Sequence, residues 1–211
     1  MKTTPWFILL PFLAGIGVGA AITPAHAEGS WVLNHCTQAL SDPTSWTREN
    51  ARAYAGTANG DGYDWGGGCW NEDGTDNTPA QSDSHNSVGE GADCSGLTFK
   101  AWAMNYDYSA SRRRWSIFSN ALPYAHGPYT AADFKAGTGA VNPLPDKSYA
   151  TTHLMDAFAS TTHIGMIYQA GTSGGMDTIV EAKDQGTKMG IFTRNYRGDP
   201  AYSGVKRSTW D

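Results

Sequence analysis

Gly91-Ala-Asp-Cys-Ser-Gly-Leu-Thr-Phe99 sets a cysteine at the start of a helix. Asp93 or Ser95 can cap it, because a short oxygen-bearing side chain accepts from the unpaired N–H groups of a first turn. Leu97, Ala101 and Met104 then recur at helical spacing, with Phe99, Trp102 and Tyr106 widening the apolar face. A thiol attacks as thiolate, and the first turn of a helix offers unpaired N–H groups and the positive end of the dipole, both of which favour an anion. Ser95 and Gly96 are small enough to let another element approach the sulfur. The expectation is a nucleophile that alkylates well below pH 8.5, the value of a free thiol. The competing reading is a buried core cysteine.

A nucleophile of this kind needs a base. Of the six histidines, His26, His35, His85, His126 and His153 fall in leader, loop or irregular sequence, whereas His163 opens a strand. His163-Ile-Gly-Met-Ile-Tyr168 and Thr178-Ile-Val-Glu-Ala182 read as two strands joined by a Gly-rich turn, Ala170 to Met176. A base on a strand is held by a ladder. Gly165 shares its face, leaving room beside the ring. With the turn centred near Thr172, Glu181 stands directly opposite His163, where Cβ atoms are about 4.5 to 5.5 Å apart. A carboxylate there would orient the imidazole; an exposed strand glutamate is the other reading.

Working outward, Asp42 to Ala55 reads as a helix opened by Pro43 and Thr44 and stopped by Gly56. Residues 56–92 are Gly-rich loop around an aromatic island, Tyr63-Asp-Trp-Gly-Gly-Gly-Cys-Trp70. The acidic run Glu72, Asp73, Asp76 and Asp83 lacks the spacing of a calcium loop, and no metal or other cofactor is expected. Residues 119–150 are irregular, with Pro123, Pro128, Pro143 and Pro145, and a short turn of helix at Asp133 to Ala136. Ala157 to Ser160 and Gly190 to Thr193 are weaker strand candidates. Helices first and strands afterwards predict an α+β domain with an antiparallel sheet.

The first 27 residues have the layout of a secretory signal peptide: Lys2, an apolar segment from Trp6 to Ile22, and the small-x-small site Ala25-His-Ala27. Removing 27 residues from 211 leaves 184, one domain. The formal net charge of −5 becomes −6 without Lys2. An acidic chain whose single basic cluster is Arg112-Arg113-Arg114 argues against nucleic acid as a partner. Export lets thiols pair. A disulfide between Cys36 and Cys69 would be worth roughly 3 to 4 kcal/mol and would leave Cys94 for chemistry.

Taken in order, Tyr63-Asp-Trp-Gly-Gly67, Asp93-Cys-Ser-Gly-Leu97, Asp156-Ala-Phe158, His163-Ile-Gly-Met-Ile-Tyr168 and Val180-Glu-Ala182 resemble the NlpC family of papain-like cell-wall cysteine peptidases. The resemblance spans residues 42 to about 193. It implies a papain-like core with helices packed on an antiparallel sheet, the nucleophile at a helix N-terminus, and a single catalytic domain over 28–211. By the same resemblance Cys94 attacks a peptide carbonyl, His163 relays the proton and Glu181 fills the third position, more often histidine, asparagine or glutamine in the family. Tyr63 would lie beside the nucleophile, with Asp93 and Ser95 binding the substrate's amino end. Residues 68–92 form an insertion where family members have a short link. The implied activity is a secreted or cell-wall-associated bacterial hydrolase, a monomer without a membrane anchor after cleavage. It would cut peptidoglycan stem peptides next to D-glutamyl. An amidase acting between sugar and stem, a silent wall-binding module and an acyltransferase are the alternatives.

Overall fold

The computed structural model describes residues 46–70, 73–76, 91–104, 127 and 129–211. The expected signal peptide, the proposed Cys36–Cys69 pairing, the Arg112-Arg113-Arg114 cluster and any helix before residue 46 lie outside the described residues.

Among the described residues, three helices precede or interrupt the sheet. Helix α1 is Arg48–Gly56, capped by Thr47. The Thr47 hydroxyl accepts from the Asn50 N–H at 3.1 Å, and the Asn50 side-chain oxygen accepts from the Thr47 N–H at 3.2 Å. This reciprocal pairing satisfies the free donors of the first turn and ends the helix on its N-terminal side, so it starts later than the expected Asp42. Helix α2 is Cys94–Ala101, capped by Asp93, and every residue from Ser95 to Ala101 is buried. Helix α3, Ala131–Ala136, is longer than the expected turn because Thr130 and Asp133 form the same two-way cap.

Among the described residues, eight strands occur as paired short segments: β1 Gly68–Cys69, β2 Gly91–Ala92, β3 Val141–Pro143, β4 Ala157–Ala159, β5 Ile164–Gln169, β6 Asp177–Ala182, β7 Met189–Arg194 and β8 Ser203–Arg207. The first two pair with each other; the other six form an antiparallel sheet in the order β3-β8-β4-β5-β6-β7. The class is therefore α+β, as the sequence predicts. Strands β1 and β2 fall in the expected loop at 56–92, and strands β3 and β8 are likewise absent from the sequence reading. Pro143 ends β3 at the sheet edge, where a missing N–H costs no ladder bond.

One face of the sheet, through Ile164, Met166, Val180, Ala182 and Val205, packs with Leu97, Ala101, Trp102 and Phe134 in the main core. Trp102 is fully buried, donates from Nε1 to the Met155 carbonyl at 2.9 Å, and meets Phe134 and Trp210 edge-on. Side chains one residue along point the other way. There Phe158, Ile167 and Ile179 form a smaller cluster overlain by Tyr196 and Tyr202.

The pair β1–β2 pins the two ends of segment 68–92 together, with Gly68 across from Ala92 and Cys69 across from Gly91. Gly91 has φ 140°, and a Cβ there would fall 2.6 Å from the Gly62 carbonyl oxygen. Only glycine lets the chain enter the Asp93 cap at this angle.

Candidate active site

The Asp93 cap is a knot rather than a single bond. Its Oδ1 accepts from the Gly96 N–H at 2.8 Å and the Ser95 hydroxyl at 2.9 Å, and its Oδ2 accepts from the Gly66 N–H at 3.0 Å. The aromatic island is thereby tied to the start of α2. Asp93 N–H donates to the Gly67 carbonyl, Asp64 N–H donates to Ala92, and Tyr63 bridges Ala92. Tyr63 is half-buried against the core that Cys94 also touches. Asp93 and Ser95 are both buried.

Cys94 is partly buried, and its sulfur faces the backbone N–H groups of Ile164, Ser95 and its own residue. The expected activation by the helix start is outweighed. Burial first, and the negative charge of Asp93 second, push the thiol up to about 12, while those three N–H groups pull the other way. The physical reason is that a few partial charges at a helix start do not replace the water lost by an anion. The same carboxylate that caps the helix also repels the thiolate.

His163 and Glu181 come together as expected, but not in the expected register. Met166 pairs with Val180 and Ile167 with Ile179, with a bulge between Ile167 and Gln169. Continuing that register sets Gly165, not His163, across from Glu181, because the turn centres on Ser173 rather than Thr172. His163 lies one diagonal step away, a separation that long side chains still bridge. It does so over Gly165: a Cβ there would sit 2.6 Å from Ile179 Cγ2, 3.2 Å from Glu181 Oε2 and 3.3 Å from the Tyr196 ring. Across that gap His163 Nε2 donates to Glu181 Oε2 at 2.8 Å.

Glu181 is 1 % exposed and holds three partners. Besides the imidazole, Tyr196 donates to Oε2 at 2.5 Å and Arg194 Nε donates to Oε1 at 2.6 Å. Burial opposes its charge, yet the hydrogen bonds and attraction from His163, with those of Tyr196 and Arg194, hold it below the ordinary glutamate value. Burial and the bond to Glu181 drive the Tyr196 hydroxyl far above its ordinary value, so it stays a donor. Arg194 reaches back over the Phe192 ring, 4.7 Å from its centroid, to make its contact. Tyr196 stacks on Tyr202 at 4.2 Å, and both meet the imidazole edge-on. Sequence reasoning missed Arg194, Tyr196 and Tyr202; the available signal was Arg194 closing a strand two positions after Phe192, on the face that Glu181 shares.

The sulfur thus reaches the peptide joining His163 to Ile164, while the ring of His163 is held by Glu181. No hydrogen bond joins sulfur and imidazole directly. No group of three or more metal-ligating side chains occurs among the described residues.

No family model matches the chain, and no curated protein matches it. Among solved structures, the peptidoglycan hydrolase RipB from Mycobacterium tuberculosis is similar at 19% sequence identity and a TM-score of 0.44, over 94% of this chain and 96% of that one.

Proposed function

We propose that the chain is a secreted cysteine peptidase that hydrolyses an amide in the peptide stems of peptidoglycan, next to a D-glutamyl residue. Cys94, His163 and Glu181 are its catalytic residues. The observation that carries this reading is the meeting at the head of β5: the Cys94 sulfur faces the Ile164 N–H, and the preceding residue, His163, is bound through Nε2 to a buried carboxylate. The other ring nitrogen, Nδ1, is the atom left to exchange a proton with sulfur.

The chemistry follows from that division of labour. With a thiol raised to about 12, the proton leaves sulfur as attack begins rather than beforehand. His163 takes it at Nδ1, the S–C bond forms and the scissile C–N bond breaks as the imidazolium returns the proton to the departing amine. Water then attacks the thioester while His163 accepts its proton, releasing the carboxylic acid and restoring the thiol. Catalytic hydrogen bonds are often long before substrate is bound, which accommodates the separation of sulfur and ring. Tyr63 lies beside the nucleophile, and Asp93 and Ser95 help bind the substrate's amino end. A substrate ammonium beside Asp93 would offset the charge that keeps the thiol protonated.

The substrate class comes from the motif set, and the signal peptide, the single domain over 28–211 and action at the cell wall belong to the same reading. Digestion of purified wall fragments tests it. New amine ends should appear with the parent protein and be absent with Cys94→Ala. Equal release by both proteins removes the peptidase. Mass spectra of the products identify the freed amine; an amine on the first stem alanine would make the protein an amidase instead.

A further inference from the structure

We propose that Arg194 and Tyr196 are positioning residues for the His163–Glu181 pair: they fix the carboxylate so that Oε2 stays on the imidazole Nε2, and Arg194 supplies the positive charge that balances it. The inference deepens the reading above, since it concerns how the same site is held.

Glu181 lies in the gap left by Gly165, so the β5 residue directly opposite offers its carboxylate no side-chain support. Three donors fix it instead. Arg194 Nε takes Oε1 at 2.6 Å, and Tyr196 shares Oε2 with His163. With both oxygens taken from different directions, rotation of the carboxylate about its terminal bond breaks at least one bond. The clamps are themselves braced: Arg194 lies on Phe192, and Tyr196 stacks on Tyr202 with the rings only 22° apart. The sheet side of the imidazole is therefore a fitted wall.

Among the described residues, the charged or titratable groups that meet this pair are Arg194 from β7 and Tyr196 and Tyr202 from the β7–β8 connection, with Asp199 beyond Tyr202, while the Cys94 sulfur at the start of α2 meets the backbone N–H of Ile164. Of these, Arg194 alone is a fixed cation. A single positive charge beside a His–carboxylate pair disfavours imidazolium, both by direct repulsion and by balancing the carboxylate. Loss of that charge should therefore favour imidazolium.

The test reads His163 directly by nitrogen-15 NMR titration in Cys94→Ala protein, which needs no substrate, alongside pH profiles of kcat/KM in protein with the cysteine intact. Arg194→Gln should raise the His163 midpoint by about one pH unit, move the acid limb of the profile upward in step, and lower kcat about 10-fold with little change in KM. Arg194→Lys should return the midpoint toward that of the parent. Tyr196→Phe, which removes one hydroxyl, should give a smaller rise and decides the matter if Arg194→Gln does not fold. An unmoved midpoint in a folded Arg194→Gln protein, or Arg194→Lys as disturbed as Arg194→Gln, overturns the role of Arg194; an unchanged midpoint and rate in Tyr196→Phe overturns that of Tyr196. If the midpoint moves as expected while the parent cuts no wall fragment, the positioning holds and the substrate reading fails.

Discussion

The start of α2 and the centre of the sheet treat charge in opposite ways. At the helix, Cys94 is surrounded by small residues and one carboxylate, and the net effect of burial and Asp93 is to keep sulfur neutral. On the sheet, another buried group, Glu181, is favoured in its ionised form, because three side-chain donors converge on it. Burial works against the charged form at both places; what differs is the supply of hydrogen bonds and of opposite charge. The ready-made charge thus lies on the carboxylate bound to the imidazole and not on sulfur. On the proposed mechanism, sulfur becomes anionic only as attack begins.

The largest expected effect follows from treating sulfur and ring as one device. Cys94→Ala and His163→Ala should each lower kcat/KM on wall peptides by roughly 10⁴-fold, and the double variant should fall no further, since residues acting as a unit are strongly non-additive. Losses that multiply would mean that the two regions act separately, and the comparison would break there.

Gly165 is where His163 and Glu181 are joined geometrically. In Gly165→Ala the new methyl group meets Ile179, Glu181 and Tyr196 at the distances given above. Displacement of Glu181 from Nε2 should cost about 10²-fold in activity, and the crowding about 1 to 3 kcal/mol of stability by chemical denaturation. Parent-like activity in this variant would show that the diagonal His163–Glu181 contact tolerates displacement.

The history of that contact also explains what a sequence discloses. The cap and helix at Asp93–Ala101 are legible because one short polar side chain and a 3.6-residue period specify them locally. The hairpin is legible from alternation. Its register is not, since a seven-residue Gly-rich turn can centre on Thr172 or Ser173, and the bulge after Ile167 leaves no trace in residue type. His163 still meets Glu181 because Gly165 removes the obstacle that would have made a two-residue slip decisive. Strand β8 is hidden for another reason: among Ser203, Gly204, Val205, Lys206 and Arg207 only Val205 is apolar, and the strand is fixed by partners on both sides, β3 and β4. Arg194 and Tyr196 are 13 and 15 residues from Glu181, and only the fold of β7 and the loop after it brings them back.

A smaller effect sharpens the helix side. Asn caps as well as Asp, so Asp93→Asn keeps the Gly96 bond while removing the charge that lifts the thiol. Alkylation of Cys94 by iodoacetamide should have its midpoint well above 8.5 in the parent, and lower in Asp93→Asn. The variant should lose about 1 to 3 kcal/mol of stability, because its amide nitrogen would face the Gly66 N–H. A parent midpoint below 8.5 would mean that the imidazole already holds sulfur as an anion, and the contrast between the regions would disappear.

The smallest effect is on stability against pH. Glu181 has a folded pKa below its unfolded value of about 4.3. Its contribution is therefore full above that value and is lost as pH falls through the folded pKa. Urea midpoints compared at neutral pH and near pH 3 should drop less in Glu181→Gln than in the parent, because glutamine has no charge to lose. The difference is modest by construction: burial opposes the carboxylate's charge even as His163, Tyr196 and Arg194 support it, so two sizeable effects leave a small remainder. Identical acid sensitivity in the two proteins would mean that this remainder is nil and that the three donors orient Glu181 without stabilising the fold through its charge.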